Sequence, residues 1–212
     1  MIAYITGATS GFGKAIALKL AQQKYDLILT GRREERLKEL EKEIITTYKR
    51  KVLTLTYDVR QRETTLTINA QLPEQWKQID VLVNNAGLAA GLSPIQEGDI
   101  DDWDCMIDTN VKGLLYVTRS IAPLMIARGK GHIINIGSIA GKEVYPNGNV
   151  YCGSKFAVDA LTKAMRIDML QAGIKVTQIA PGAAETEFSL VRFKGDKTAA
   201  DKVYQGYTPL SG

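Results

Sequence analysis

Residues 2–13 read IAYITGATSGFG. A short apolar run meets Thr6-Gly7, and glycines return at positions 11 and 13, so a strand is expected to turn sharply into the first turn of a helix. Backbone N–H groups at such a helix start, together with its dipole, suit a pyrophosphate. The spacing is G-x-x-x-G-x-G rather than the G-x-G-x-x-G of the usual dinucleotide fingerprint, so this turn is weak evidence alone.

Five more apolar runs follow: DLILT at 26–30, KVLTLTYD at 51–58, DVLVNNAG at 80–87, HIINIGS at 132–138 and KVTQIAPG at 175–182. Longer segments of helical period separate them. Near-continuous apolar strands alternating with helices predict an α/β fold, a doubly wound, Rossmann-like parallel sheet with helices on both faces. In such sheets ligands bind beyond the carboxyl ends of the strands. All six runs end in glycine, small polar or charged residues, which converge on that rim. With no internal repeat or low-complexity linker, residues 1–212 read as a single domain.

Composition excludes several classes. The chain is 45% hydrophobic and 24% charged, with 27 basic and 23 acidic residues interleaved to a net charge of +4. The basic cluster Lys49-Arg50-Lys51 lacks interleaved aromatics, so no nucleic acid is expected as partner. Cys105 and Cys152 have no CxxC spacing and suggest reduced thiols in a cytoplasmic setting. His132 is the sole histidine, which argues against a histidine-built metal site or a Ser-His-Asp triad. Neither a signal peptide nor a membrane-spanning run is expected.

The end of the second strand carries Arg32 and Arg33, where the adenosine ribose should lie. Guanidinium groups there favour a 2′-phosphate, hence NADP(H). Alone, GRREERLKEL reads equally well as a charged helix start; after the glycine turn, the phosphate reading is stronger. Asp58 at the third strand end suits the adenine amino group, or a cap for the next helix. Asn84-Asn85-Ala86-Gly87 lets backbone pass close to a cofactor, or is a simple turn.

The segment 103–125 reads as a helix with the stripe Trp103, Ile107, Asn110, Leu114, Ile121 and Met125. Asn110 falls inside that stripe and must hold backbone groups or an ordered water. Ser138 ends the fifth strand, and Tyr151 follows a glycine- and proline-containing connection. Lys155 is one helical turn beyond Tyr151 on the same face. Either these two are a solvated surface pair, or Tyr151 is a general acid and base. In the second reading the Lys155 ammonium and a positive nicotinamide both favour the phenolate, and Ser138 donates to the developing alkoxide.

Thr6-Gly7…Gly11-Phe12-Gly13, Asn84-Asn85-Ala86-Gly87, Asn110, Ser138, Tyr151…Lys155 and Pro181-Gly182, in this order, resemble the short-chain dehydrogenase/reductase family along the whole chain. The resemblance implies hydride transfer at C4 of nicotinamide, with Ser138, Tyr151 and Lys155 as the catalytic group and Asn110 supporting a water-linked proton relay. It implies cofactor contacts from Gly7, Thr9, Ser10, Gly11, Phe12, Arg32, Arg33, Asp58, Val59, Asn85, Ala86, Gly87, Tyr151, Lys155, Pro181, Gly182 and Thr186. GRREERL, DIDDWDCMIDTN, GHIINIGS and TEFSLVRFKGD resemble more closely the NADP-dependent 3-hydroxy acid dehydrogenases acting on serine and allo-threonine. No metal is implied.

Two departures stand out. The family usually continues through another helix and a seventh strand, whereas this chain ends at YTPLSG, so a C-terminal helix and strand are expected to be missing. Ala183-Ala184-Glu185 stands where those relatives have a more glycine-rich turn. The expected partner is a small hydroxy acid or carbonyl compound, bound by Ser138 and Tyr151, with Arg192 or Lys194 on its carboxylate and Glu187 on an ammonium. Those three charges read equally as solvated lid residues. A 3-oxoacyl-carrier-protein reductase or a non-catalytic NADP-binding sensor are the competing functions. The resemblance further implies a homo-oligomer, a tetramer.

Overall fold

The computed structural model describes residues 1–198 together with Leu210 and Ser211. Six parallel strands form one sheet in the order β3-β2-β1-β4-β5-β6. They are β1 (Ile2–Ile5), β2 (Asp26–Gly31), β3 (Val52–Thr56), β4 (Ile79–Asn84), β5 (Gly131–Ile136) and β6 (Ile174–Ile179). The doubly wound expectation holds. The expectation that a C-terminal helix and strand are missing concerns the chain's end, most of which lies outside the described residues.

The strands are apolar at nearly every position because both faces are covered. Ala3, Ile5, Leu27, Leu29, Val81 and Val83 point to one side, where α1 (Gly11–Gln22) and α2 (Glu34–Tyr48) supply Ala17, Ala21, Leu37, Leu40 and Ile44. Their neighbours Tyr4, Ile28 and Leu82 point to the other, where they join Ile121 and Met125. Successive strand side chains alternate faces, so two cores require two interleaved apolar sets. Each fully buried Leu or Ile contributes roughly 1.5–3 kcal/mol of transfer free energy, which makes this double burial the main stabilising term.

The second face is covered by α3 (Arg62–Ala70), α5 (Leu114–Ala127) and α6 (Asn149–Asp168). The helix expected at 103–125 is observed as α4 (Ile100–Ile107) running into α5 through a π-type turn at Asp108–Gly113. Such single wide turns recur at functional sites. Asp99 caps α4 by accepting a hydrogen bond from the Asp101 N–H at 2.9 Å. A short helix α7 (Glu187–Arg192) follows β6, and the two-residue strands β7 (Ala184–Glu185) and β8 (Leu210–Ser211) pair in parallel.

The chain builds outward from β1 to β3, then returns to place β4 on the other side of β1. The crevice at that reversal is where a doubly wound sheet offers its ligand site. Among the described residues no helix is long and apolar enough to cross a membrane.

Candidate active site

A cavity of about 650 Å³ opens over the β1/β4 reversal and is lined by residues from the ends of all six strands. Every residue assigned to the cofactor from the sequence lines it, together with Ser138, Glu187 and Arg192. Asn110 and Lys194 do not.

The glycine turn answers whether a dinucleotide fits. Gly7 and Gly11 hold φ of +65° and +48°, a region that penalises side chains. A Cβ on Gly13 would stand 2.2 Å from the Gly7 carbonyl oxygen, and one on Gly31 2.7 Å from Thr9 Cγ2. The turn is therefore compressed to backbone thickness, with the N–H groups of α1 open to an anion. Thr6 braces it from below: its hydroxyl oxygen accepts from the Asn85 and Ala86 N–H groups at 2.9 Å. Asn85 Nδ2 donates to the carbonyl oxygens of Thr6 and Gly7 at 2.9 and 3.1 Å. The NNAG run thus braces the glycine turn.

At the β2 end the two arginines differ. Arg32 is more than half exposed, its nearest carboxylate contact being Asp58 at 3.9 Å. Arg33 is tied down, donating from Nε and Nη2 to Thr9 Oγ1 at 3.2 and 3.0 Å and from Nη1 to Glu187 at 2.9 Å. Asp58 does not cap α3, whose N-cap is Gln61. Burial alone would raise its pKa, but hydrogen bonds from Arg60 and the charge of Arg32 outweigh this and hold it below the usual carboxylate value.

Helix α6 settles the position of the Tyr/Lys pair. Tyr151, Lys155, Val158, Thr162 and Met165 are all buried at helical spacing, so the pair belongs to the inward stripe and is not a solvated surface pair. Lys155 Nζ donates to the Ile136 carbonyl at 3.0 Å and lies 5.9 Å from the Tyr151 ring centre. A Cβ on Gly87 would meet this ammonium at 3.4 Å, so the bare backbone there leaves it room.

Lys155 and a positively charged nicotinamide were expected together to favour the Tyr151 phenolate. In the protein alone burial dominates and pushes the phenol up to about 12, with the Ser138 hydrogen bond and the Arg192 charge pulling against it and Tyr145 adding to it. Burial also pushes Lys155 down to about 8. A weakly polar surrounding disfavours the charged form of each group. In the protein alone Tyr151 is a phenol, the form that gives a proton to a carbonyl oxygen.

Asn110 holds backbone, one of the two roles open to it. Its Oδ1 accepts from the Leu88 N–H at 2.8 Å, and its Nδ2 donates to the Leu88 carbonyl at 2.8 Å and to Ser154 Oγ at 2.9 Å. It clamps the segment after β4 to α6.

The substrate charges separate. Arg192 is buried, with Nε donating to the Gly91 carbonyl at 2.9 Å and Nη1 to the Tyr145 hydroxyl at 3.0 Å. Lys194 lies outside the cavity, paired with Asp102 at 3.0 Å and Asp99 at 3.3 Å. Glu187 is held at the β2 end by Arg33 and Arg36, away from the role expected for an ammonium partner. Sequence reasoning missed Tyr145 and Phe188, whose ring meets that of Tyr151 edge-on at 5.6 Å. Neither sits in a periodic pattern that would have marked it.

The family model for the short chain dehydrogenases matches residues 1–196. The chain belongs to the short-chain dehydrogenase family. It is 48% identical over 212 residues to the NADP-dependent 3-hydroxy acid dehydrogenase YdfG of Salmonella typhi, covering 100% of this chain and 84% of that protein. It is also 48% identical over 210 residues to sulfoacetaldehyde reductase 2 of Chromohalobacter salexigens, covering 99% of this chain and 82% of the other. Among solved structures, the closed form of serine dehydrogenase complexed with NADP+ superposes with a TM-score of 0.94 at 46% identity, covering 100% of this chain and 84% of that one.

Proposed function

We propose that this short-chain dehydrogenase is an NADP-dependent oxidoreductase that moves a hydride between nicotinamide and a small 3-hydroxy acid or its semialdehyde or oxo acid. Serine, allo-threonine and 3-hydroxyisobutyrate are the substrate types in view. The observation that carries the substrate class is Arg192, a buried cation whose guanidinium carbon lies 5.8 Å from the Tyr151 ring centre. A buried guanidinium beside the proton donor suits a substrate anion a few atoms from the reacting carbon.

Bound NADP(H) supplies or accepts the hydride at its nicotinamide. Tyr151 gives its phenolic proton to the substrate oxygen in reduction and takes it back in oxidation. Ser138 donates to the same oxygen as negative charge develops there. Lys155 binds the nicotinamide ribose and offers positive charge to Tyr151 once its proton has left. Arg192 Nη2 holds the carboxylate, while Nε and Nη1 keep the side chain in place. Arg33 and Arg32 meet the 2′-phosphate, and Asp58 meets the adenine.

Turnover of serine, allo-threonine and 3-hydroxyisobutyrate, each against its methyl ester and with both cofactors, tests this reading. Sulfoacetaldehyde belongs in the panel, because a sulfonate presents an anion of the same charge to Arg192. Acids that outpace their esters support it; esters that react equally well remove carboxylate recognition and leave a reductase of neutral thioesters as the better reading.

We further propose a single NADP-binding domain over residues 1–212, cytoplasmic in keeping with the free thiols of Cys105 and Cys152, and a tetramer. The exposed Phe156 and Ile167 on α6, with Leu170 just beyond it, supply an apolar face for subunit contact. Light scattering that returns a monomeric mass overturns the tetramer.

A further inference from the structure

We propose that Glu187 is a specificity-determining residue, an internal anion that occupies Arg33 and Arg36 and yields them to the 2′-phosphate of the cofactor. This rests on the reading of the β2 end as the adenosine ribose site.

Glu187 stands on the first turn of α7, yet both its oxygens reach back to the β2–α2 junction. Arg36 Nη1 donates to Oε1 at 2.7 Å and to Oε2 at 2.8 Å, and Arg33 Nη1 donates to Oε2 at 2.9 Å. The remaining bonded nitrogens of Arg33 are committed to Thr9 in the phosphate turn, at 3.0 to 3.3 Å. A phosphate that seeks two parallel N–H donors from Arg33 must therefore take them from Thr9 or from Glu187. Thr9 is locked against Gly31, where a Cβ would stand only 2.7 Å from its methyl group. Glu187 is the partner that can leave.

Charge points the same way. The Arg36 hydrogen bond leads the effects that hold the Glu187 carboxyl below its ordinary value, so it is ionised throughout the neutral range. A carboxylate and a phosphate on one guanidinium repel each other at contact distance. A 2′-hydroxyl brings no such charge, so NAD(H) leaves the Glu187 clasp as it stands. The carboxylate and both arginine side chains are about two-fifths exposed, which keeps the exchange small. Arg192, bonded to the Gly91 carbonyl and the Tyr145 hydroxyl, holds the far end of α7 whichever anion occupies the near end.

Binding of NADPH and NADH to the purified full chain, followed by nicotinamide fluorescence, tests the exchange. Wild type, Glu187→Gln, Arg33→Ala and the triple variant Arg33→Ala/Arg36→Ala/Glu187→Gln suffice. Glu187→Gln is expected to tighten NADPH roughly two- to tenfold and to leave NADH within about twofold. The gain is expected to vanish in the triple variant. An unchanged or weaker NADPH affinity in Glu187→Gln, with Arg33→Ala still losing its preference for NADPH, overturns the exchange and spares the ribose site. If Arg33→Ala keeps the wild-type preference, the ribose assignment fails and the proposal falls with it.

Discussion

Arg192 lies with its guanidinium carbon 5.8 Å from the centre of the Tyr151 ring and 5.6 Å from that of Tyr145, while its Nη1 donates to the Tyr145 hydroxyl. Tyr151 and a buried cation thus share one wall of the cavity. Arg192→Leu is expected to raise KM for the hydroxy acids ten- to a hundredfold, since a hydrogen bond to a charged group contributes roughly 1.5–3 kcal/mol. Rates with the methyl esters should fall far less. A uniform loss across acids and esters would show that Arg192 only holds α7 in place.

Tyr151→Phe preserves the ring that packs on Phe188 and removes the proton. Turnover should drop by roughly a hundredfold or more, with cofactor affinity nearly unchanged. Fluorescence titration and steady-state rates across pH separate the two effects. Near-normal turnover would remove Tyr151 as the acid.

Lys155 is lowered by burial from 10.5 to about 8 in the folded chain. Below pH 8 both states carry the proton, and the folded state bears a buried charge held by the Ile136 carbonyl. Between about 8 and 10.5 the unfolded chain holds the proton more tightly, so stability rises with pH through that window and is full above it. Lys155→Met is therefore expected to raise the melting temperature at pH 7 by a few degrees while weakening cofactor binding and turnover. The gain over wild type should shrink toward pH 10. A lower melting temperature at pH 7 would contradict this account.

Gly13→Ala puts a methyl group 2.2 Å from the Gly7 carbonyl oxygen, inside a turn that Asn85 also grips. Overpacking of this kind costs typically 1–3 kcal/mol. Both NADPH and NADH should bind poorly, and the melting temperature should fall. Loss of one cofactor alone would mean that the turn does not hold the shared pyrophosphate.

Much of this was written locally in the chain. The apolar strands announced a sheet covered on both sides, because alternate residues on each strand feed opposite cores. Gly7, Gly11 and Gly13 marked the phosphate turn through sterics that act over a few residues, and Tyr151 with Lys155 needed only helical spacing to share a face. Arg32 and Arg33, by contrast, were equivalent until folding left one exposed and bound the other to Thr9 and Glu187. The upward push of burial on Tyr151 in the protein alone was not legible either, because burial is summed over every element that packs on the ring and not over neighbours in the helix.

The segment from Glu187 to Lys194 shows where chain order stops informing. Its three charges read as substrate partners, Arg192 or Lys194 for a carboxylate and Glu187 for an ammonium, or equally as solvated lid residues. Folding sends Glu187 to the arginines after β2, Arg192 to Gly91 and Tyr145, and Lys194 to Asp99 and Asp102. Each partner is distant in sequence, on a strand end, a loop or another helix, so its position exists only once the sheet has formed. Local sterics and helical period decided the shape of the glycine turn and the shared face of Tyr151 and Lys155; long-range packing of α7 across the strand ends decided that Glu187 and Arg192 line the cavity and Lys194 does not.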